Sequence, residues 1–177
     1  MHSSEHSAVL RLANLTRDLE AIDERCRANA FRDILEMAED GDGEAMFQVA
    51  RCLQQGIGVE TDHSGADRWL RLSCVATPAS RMALYTYGMQ HVLKQRPNAD
   101  AHKGITFIER AATQGYVRAI LALVDIVENG LAEIKPDVRR AYRLLAGSLS
   151  NADDGQLHQA YFSFIERHSP ITTLLDS

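Results

Sequence analysis

Small and large apolar residues recur in steps of four along several stretches of this chain. Ala45, Val49 and Leu53 are spaced in this way, and side chains four residues apart lie on one face of an α-helix. The pattern therefore predicts an amphipathic helix that packs its apolar face on a core.

The same stripe occurs three times. Residues 45–53, 83–91 and 119–127 align without gaps, and the alanines that open them are 38 and 36 residues apart. Repetition at a period of roughly 20–50 residues is typical of solenoids and other repeat proteins. The pattern predicts a chain built from one unit used several times.

A second helical stripe follows each of these three, and an aspartate precedes it. Asp62, Asp100 and Asp137 are 38 and 37 residues apart. A carboxylate at this place accepts hydrogen bonds from the free amides of a helix N-terminus and favours the positive end of the helix dipole. Each copy is thus predicted to hold two helices, helix A and helix B, with the aspartate at the start of helix B.

Glycine-rich turns separate the predicted helices. The first helix A is followed by Gly56-Ile57-Gly58-Val59 and the third by Asn129-Gly130. Gly41 and Gly115 stand where a left-handed residue would end the helix before each of two A helices.

The first copy resembles a Sel1-like repeat, a relative of the tetratricopeptide repeats. The matching residues are Ala45 to Leu53, Gly56, Gly58, Val59, Asp62, Ala66, Trp69 and Ala76. The resemblance covers about residues 41–149, with a departure at Lys94-Gln95-Arg96 in the second copy. It implies an all-α fold, a right-handed α/α solenoid (superhelix) of about three helix-turn-helix repeats with N- and C-terminal capping helices. It also implies a non-catalytic adaptor or scaffold for protein–protein interaction.

The repeats and their flanks suggest three regions. Residues 1–40 are expected to form an entry helix over Ser7–Arg27 and a half-repeat cap, and residues 150–177 a capping helix that Pro170 stops, followed by a tail. The Sel1-like repeats lie between them, at about 41–76, 77–115 and 116–149.

Composition narrows the function and the compartment. Hydrophobic residues make up 45% of the 177-residue chain and charged residues 24%, with a net charge of −5, so no broad cationic surface for nucleic acid or anionic lipid is expected. No stretch is apolar enough to span a membrane. With no secretory signal in the sequence, we expect a cytoplasmic and bacterial protein. Cys26, Cys52 and Cys74 are expected to be packed thiols.

Candidate catalytic chemistry is sparse. His2-Ser3-Ser4-Glu5-His6 matches the short string of one zinc-hydrolase class, but it occupies a chain terminus with no scaffold to hold ligands. His91 is interpreted as a packed core residue, because no nucleophile motif accompanies it. We expect no enzyme activity, no cofactor and no metal; a metal-dependent hydrolase is the least favoured alternative.

The repeat register predicts a binding face on the concave side of the A helices. In each helix A one pair of adjacent residues is expected to pack against the next helix, and these pairs are called here the packed step: Val49-Ala50, Tyr87-Gly88 and Leu123-Val124. The positions around each pair are then expected to face outward. These outward residues, called here the A-helix positions, are Phe47, Arg51, Met82, Tyr85, Met89, Leu121 and Asp125. Aromatic anchors with adaptable methionines are typical of surfaces that accept a helix or a peptide.

Two other uses of the same stripe stay open at this stage. It could pack against the chain's own N-terminal helix or the tail 171–175 and so belong to the core. It could also form the seam of a homodimer, or serve an assembly or immunity-type protein that sequesters one partner.

Overall fold

A computed structural model describes residues 2–131, 133–149 and 154–172, with the side chains of 2–5 and 169–172 excepted. Over these residues the chain forms nine helices and no strand. None of the described helices is long and apolar enough to cross a membrane. The chain divides into two compact units, Met1–Ala83 and Leu84–Ser177, which are described in turn.

The first unit contains four helices and the start of a fifth. The helices are α1 (His2–Asp18), α2 (Glu24–Glu39), α3 (Gly43–Gln55), α4 (His63–Val75) and α5, which begins at Arg81. Its core joins α1, α2 and α3 through residues such as Leu12, Ile34 and Val49, and Trp69 of α4 packs against it half-buried. Helices α3 and α4 are helix A and helix B of the first predicted copy.

The second unit continues α5 and adds four helices. They are α5 (Arg81–Val92), α6 (Ala101–Thr113), α7 (Val117–Asn129), α8 (Val138–Leu149) and α9 (Gly155–Thr172). Helices α5 and α6 form the second predicted pair, and α7 and α8 the third. Ile108, Val127 and Leu145 are fully buried in this unit.

The recurring aspartates begin the B helices, as predicted. Asp62 accepts hydrogen bonds from the backbone N–H groups of Ser64 and Gly65, and Asp100 accepts one from Lys103. Asp137 does the same for Arg140, at 2.9 Å. The bond from Gly65 is the largest of the effects that hold the pKa of Asp62 below its usual range, and the bond from Lys103 does this for Asp100.

A left-handed residue ends each of the three A helices. Gly56 and Gly130 both have a φ of 70°, and each closes its helix as a C-cap. In the second copy Lys94 occupies the same repeat position with a φ of 54°. Gln95 N–H then bonds back to the carbonyl of Gln90 at 2.9 Å. The turn that departs from the Sel1-like pattern in sequence therefore keeps the same type of helix ending.

Helices α5 and α6 cross at two glycines. A Cβ atom added at Gly88 would lie 2.6 Å from the carbonyl oxygen of Gly104, and the reverse substitution meets the carbonyl of Gly88 at the same distance. Any side chain at either position would force the helices apart. Backbone contact at this crossing thus depends on both residues being glycine.

The expected entry helix over Ser7–Arg27 is wrong in extent. Helix α1 ends at Asp18, and Asp23 caps a separate α2 by accepting a hydrogen bond from Arg25 N–H. Ile22 continues the helical spacing of Leu12, Leu15 and Leu19 in the sequence, but it lies in the connection and is 98% exposed. The aspartate cap outweighs one apolar residue, because capping satisfies amides that would otherwise have no partner.

The C-terminal helix is interrupted near the predicted stop. Regular helical dihedrals fail at His168, which has φ −118° and ψ 21°, two residues before Pro170. A proline has no backbone N–H to donate and disfavours regular helix in the residues before it, which explains the break. Leu157 and Phe164 bury the face of α9 that packs on α8.

Candidate functional site

The predicted packed step is buried in all three A helices. Val49 is fully buried, and Ala50, Leu123 and Val124 are at most 6% exposed. Tyr87 is 8% exposed, and Gly88 lies beside it at the α5–α6 crossing. The helical register from which the A-helix positions were derived is therefore present in the structure.

In the first unit the A-helix positions are half-buried. Phe47 and Arg51 lie four residues apart on α3 and share one face, and Met82 lies in the first turn of α5. The Nε atom of Arg51 is buried and has no acceptor within the described part of the chain. These side chains are accessible in part, which a core position would not be.

In the second unit three of the A-helix positions are half-buried and one is exposed. Tyr85, Met89 and Leu121 retain partial exposure, whereas Asp125 faces solvent and accepts a hydrogen bond from Asn129 Nδ2 at 2.7 Å. The positions thus combine apolar surface with one carboxylate.

Tyr116 is an addition that the sequence reasoning missed. Its ring meets the Tyr85 ring edge-on, with centroids 5.5 Å apart. Such edge-to-face pairs hold both rings in place. Tyr116 lies just before α7 and outside the apolar stripe, so the helical periodicity gives no signal for it.

Glu128, at the end of α7, is engaged by the C-terminal helix. Its carboxylate accepts a forked pair of hydrogen bonds from Arg167, and His168 Nε2 lies 2.9 Å from its Oε1 atom. Helix α9 therefore packs on α7 at this end. Residues 173–175 of the tail, one of the two segments expected to cover the stripe if it belongs to the core, lie outside the described residues.

His91 is a packed residue, as interpreted from its repeat position. It is 4% exposed, and its Nδ1 atom accepts a hydrogen bond from Asp100 N–H at 3.1 Å. Burial, followed by the nearby charges of Lys103 and Arg96, lowers the pKa of His91. The imidazole is therefore neutral near pH 7, with its proton on Nε2.

The three cysteines are not joined by a disulfide and differ in accessibility. Cys52 is fully buried and Cys74 is 1% exposed, whereas Cys26 on α2 is half-buried. Burial raises the pKa of the Cys52 thiol to about 11, against a smaller lowering effect of Arg51. A thiol in that state is a poor nucleophile.

No group of three or more histidine, cysteine or acidic side chains that could hold a metal ion occurs among the described residues. The side chains of His2 and Glu5, from the zinc-hydrolase string, lie outside the described part of the chain. The string therefore stays an observation on sequence alone.

The helix pairs, the aspartate caps and the packed step together define an α-solenoid built from two-helix repeats. Comparison with known proteins narrows this class. No protein-family model matches the sequence, and no curated protein matches it significantly. Solved structures share the fold, among them the following two.

The first is a Sel1 repeat protein from Oxalobacter formigenes. It is similar with a TM-score of 0.63 and 23% sequence identity, over 75% of this chain and 96% of its own. The second is a protective antigen present in uropathogenic Escherichia coli strains, which displays an SLR fold. It has a TM-score of 0.64 and 16% identity over 80% of this chain, which spans 30% of that protein.

The chain therefore has the Sel1-repeat fold, an all-α solenoid, and the resemblance read from its first copy is confirmed at the level of fold. Folds of this kind are generally protein-interaction scaffolds and typically non-catalytic. A shared fold does not identify a partner, which has to be argued from side chains.

Proposed function

We propose that this protein is a non-catalytic adaptor that binds a protein or peptide through its A-helix positions. In the first unit these are Phe47, Arg51 and Met82; in the second they are Tyr85, Met89, Leu121 and Asp125. The observation that carries the proposal is that six of these positions are half-buried and Asp125 is exposed, beside a packed step that is itself buried.

The chemistry of these residues suits recognition of a polypeptide. Aromatic rings and methionine are enriched where proteins meet, because they offer large apolar contact area and adapt their shape. Arg51 adds a positive charge to the positions of the first unit and Asp125 a negative charge to those of the second, and each favours a partner with the opposite charge at that place.

We assign this adaptor to the cytoplasm on the basis of its thiols, and to a bacterium because the two similar solved structures are proteins of bacteria. The three cysteines form no disulfide, and two of them are buried in helices. Structural thiols of this kind are typical of reducing compartments, whereas oxidising ones favour disulfides.

The experiment is quantitative capture from a native lysate with the immobilised full chain. Phe47→Ala and Tyr85→Ala are compared with Leu72→Ala and Phe162→Ala, which remove exposed apolar side chains from α4 and α9. We expect the first two variants to lose the captured partner and the second two to retain it. Equal capture by all four variants would contradict the proposal.

Thermal unfolding of the same variants separates binding from folding. Phe164 is fully buried, so Phe164→Ala is expected to cost about 3–5 kcal/mol. Phe47→Ala and Tyr85→Ala are expected to shift the melting temperature far less. Losses as large as that of Phe164→Ala would show that the A-helix positions are interior.

A further inference from the structure

A cavity of about 530 Å³ opens in the first unit, and none of its described lining residues is an A-helix position. Helix α1 contributes Val9, Leu12 and Thr16 to its wall, α3 contributes Glu44 and Gln48, and the segment before α5 contributes Pro78 to Ser80. The volume lies within the range of sites that bind small ligands or single side chains.

Buried hydrogen bonds hold one wall of this cavity in place before any ligand binds. Ser73 Oγ donates to the carbonyl of Gly43 at 2.5 Å, and Ser80 N–H donates to the carbonyl of Ser73. A Cβ atom at Gly43 would collide with the carbonyl oxygen of Pro78. The first turn of α3 and the segment before α5 are thus held in close contact, and binding needs little rearrangement.

The charge of the cavity has one sign. Among its described lining residues the ionisable ones are Asp42 and Glu44, and none is basic. Asp42 caps α3 through the amides of Glu44 and Ala45. The carboxylate of Glu44 is half-buried and has no hydrogen bond or ion pair within the described part of the chain. A carboxylate in that position favours a cation.

Gln48 provides a second, independent observation. Its side chain lines the cavity and is 5% exposed, and its Oε1 atom is buried with no donor among the described residues. A buried acceptor without a partner costs free energy that a ligand with hydrogen-bond donors would recover. The Oε1 atom is sealed from solvent in this rotamer, and a turn of the terminal amide, which is a soft torsion, brings it to the cavity beside the Glu44 carboxylate.

We propose that this cavity binds an arginine side chain of a partner polypeptide. Its guanidinium group, with five donors, would meet the Glu44 carboxylate and the Gln48 oxygen together, which a single ammonium group matches less well. Its aliphatic stem lies against Leu12 and Val9, the latter 67% exposed on α1. The net charge of −5 also favours a basic partner.

The test titrates the acetylated and amidated peptide Leu-Arg-Leu into the ¹⁵N-labelled full chain and follows the amide signals by NMR. The matched control peptide carries citrulline, which keeps the shape of arginine and removes its charge. We expect saturable shifts at Gly43, Glu44 and Ser80 with the arginine peptide, and much weaker ones with citrulline. Equal binding of both peptides, or no saturable shift at these signals, would overturn the proposal.

Two variants and one control test the named acceptors. Glu44→Gln is expected to weaken binding about tenfold, because a charge-assisted bond is lost. Glu36→Gln removes an exposed carboxylate from α2, outside the cavity lining, and should leave binding unchanged. Gln48→Met keeps the side-chain length but removes the acceptor, so it should weaken the peptide complex without lowering the melting temperature. Unchanged affinity in both cavity variants would overturn the assignment.

Discussion

In the second repeat, the backbone N–H of Asp100 donates a hydrogen bond to the Nδ1 atom of His91. In the other two repeats, the corresponding aspartate amide donates to a backbone carbonyl at the repeat position of His91: Asp62 to Leu53 at 2.9 Å, and Asp137 to Val127 at 2.8 Å. An imidazole nitrogen thus does in one copy what a carbonyl oxygen does in the others. The connection between helix A and helix B of that copy depends on a group that titrates.

The first prediction concerns pH. The pKa of His91 is lowered in the folded state, so below about pH 6.5 the unfolded chain binds a proton that the folded chain does not. The stability due to neutral His91 is fully present above that pH and is lost as the pH falls towards the folded pKa. Urea unfolding at pH 7.5 and 5.5 should show a smaller free energy of unfolding at pH 5.5.

The variant His91→Asn provides the control for this pH effect. Its side-chain oxygen can accept the Asp100 amide but does not titrate, so the difference between pH 7.5 and 5.5 should shrink. The depressed carboxyl pKa values of Asp62 and Asp100 act only in more acidic solution, outside this range. A pH dependence equal to that of the unmodified chain would show that another group is responsible.

The second prediction concerns the left-handed residue that ends α5. Lys94 has a φ of 54°, which costs a residue with a Cβ atom about 1 kcal/mol relative to glycine. Lys94→Gly should therefore raise the free energy of unfolding by about 1 kcal/mol in urea titrations.

Two controls accompany Lys94→Gly. Lys94→Ala removes the exposed ion pair with Glu133 but keeps the Cβ atom, so it should not stabilise the protein. Gly115→Ala tests the opposite change, because Gly115 has a φ of 72° and open space around an added Cβ. It should destabilise the protein by about 1 kcal/mol from backbone strain alone. If Lys94→Ala raised the free energy of unfolding, the destabilisation at this position would come from the ammonium group and not from the left-handed backbone.

How far the sequence predicts this structure depends on whether a feature is local. Ala45, Ala83 and Ala119 open the three stripes and are all fully buried, because helical periodicity places them without reference to the rest of the chain. The aspartate caps are local in the same way. The split between α1 and α2 was missed because Ile22 fits the helical spacing, although a cap at Asp23 ends the pattern.

The candidate sites were less predictable than the helices. The exposure of Tyr85 follows from the register, but its contact with Tyr116 depends on how α5 meets the segment before α7. The cavity beside Gln48 requires α1, α3 and the segment before α5 to meet. Contacts between residues so far apart in sequence leave no periodic signal, so only coordinates place them.

The third prediction concerns thiol reactivity. Cys26 is half-buried, whereas Cys52 and Cys74 are almost completely shielded, and burial raises the pKa of Cys52 to about 11. An aromatic disulfide reagent at pH 8 should modify Cys26 promptly and the other two only on unfolding. Cys26→Ser should remove the fast phase. A second fast-reacting thiol in Cys26→Ser would contradict the burial of Cys52 on α3 or of Cys74 on α4.

The last prediction concerns the crossing of α5 and α6. At Gly88 an added methyl group meets the carbonyl of Gly104 and the side chain of Ile108, and neither helix backbone can yield without separating the pair. Gly88→Ala should therefore lower the free energy of unfolding by about 2 kcal/mol, as overpacking of a tight core does.

Gly147, on α8, provides the control, because nothing lies within 4 Å of a Cβ atom added there. Gly147→Ala should stabilise the protein by about 0.5 kcal/mol, because alanine favours the helix and restricts the unfolded chain. Urea unfolding of both variants measures the two effects with opposite signs, and a common sign would show that helix propensity or packing alone governs both positions.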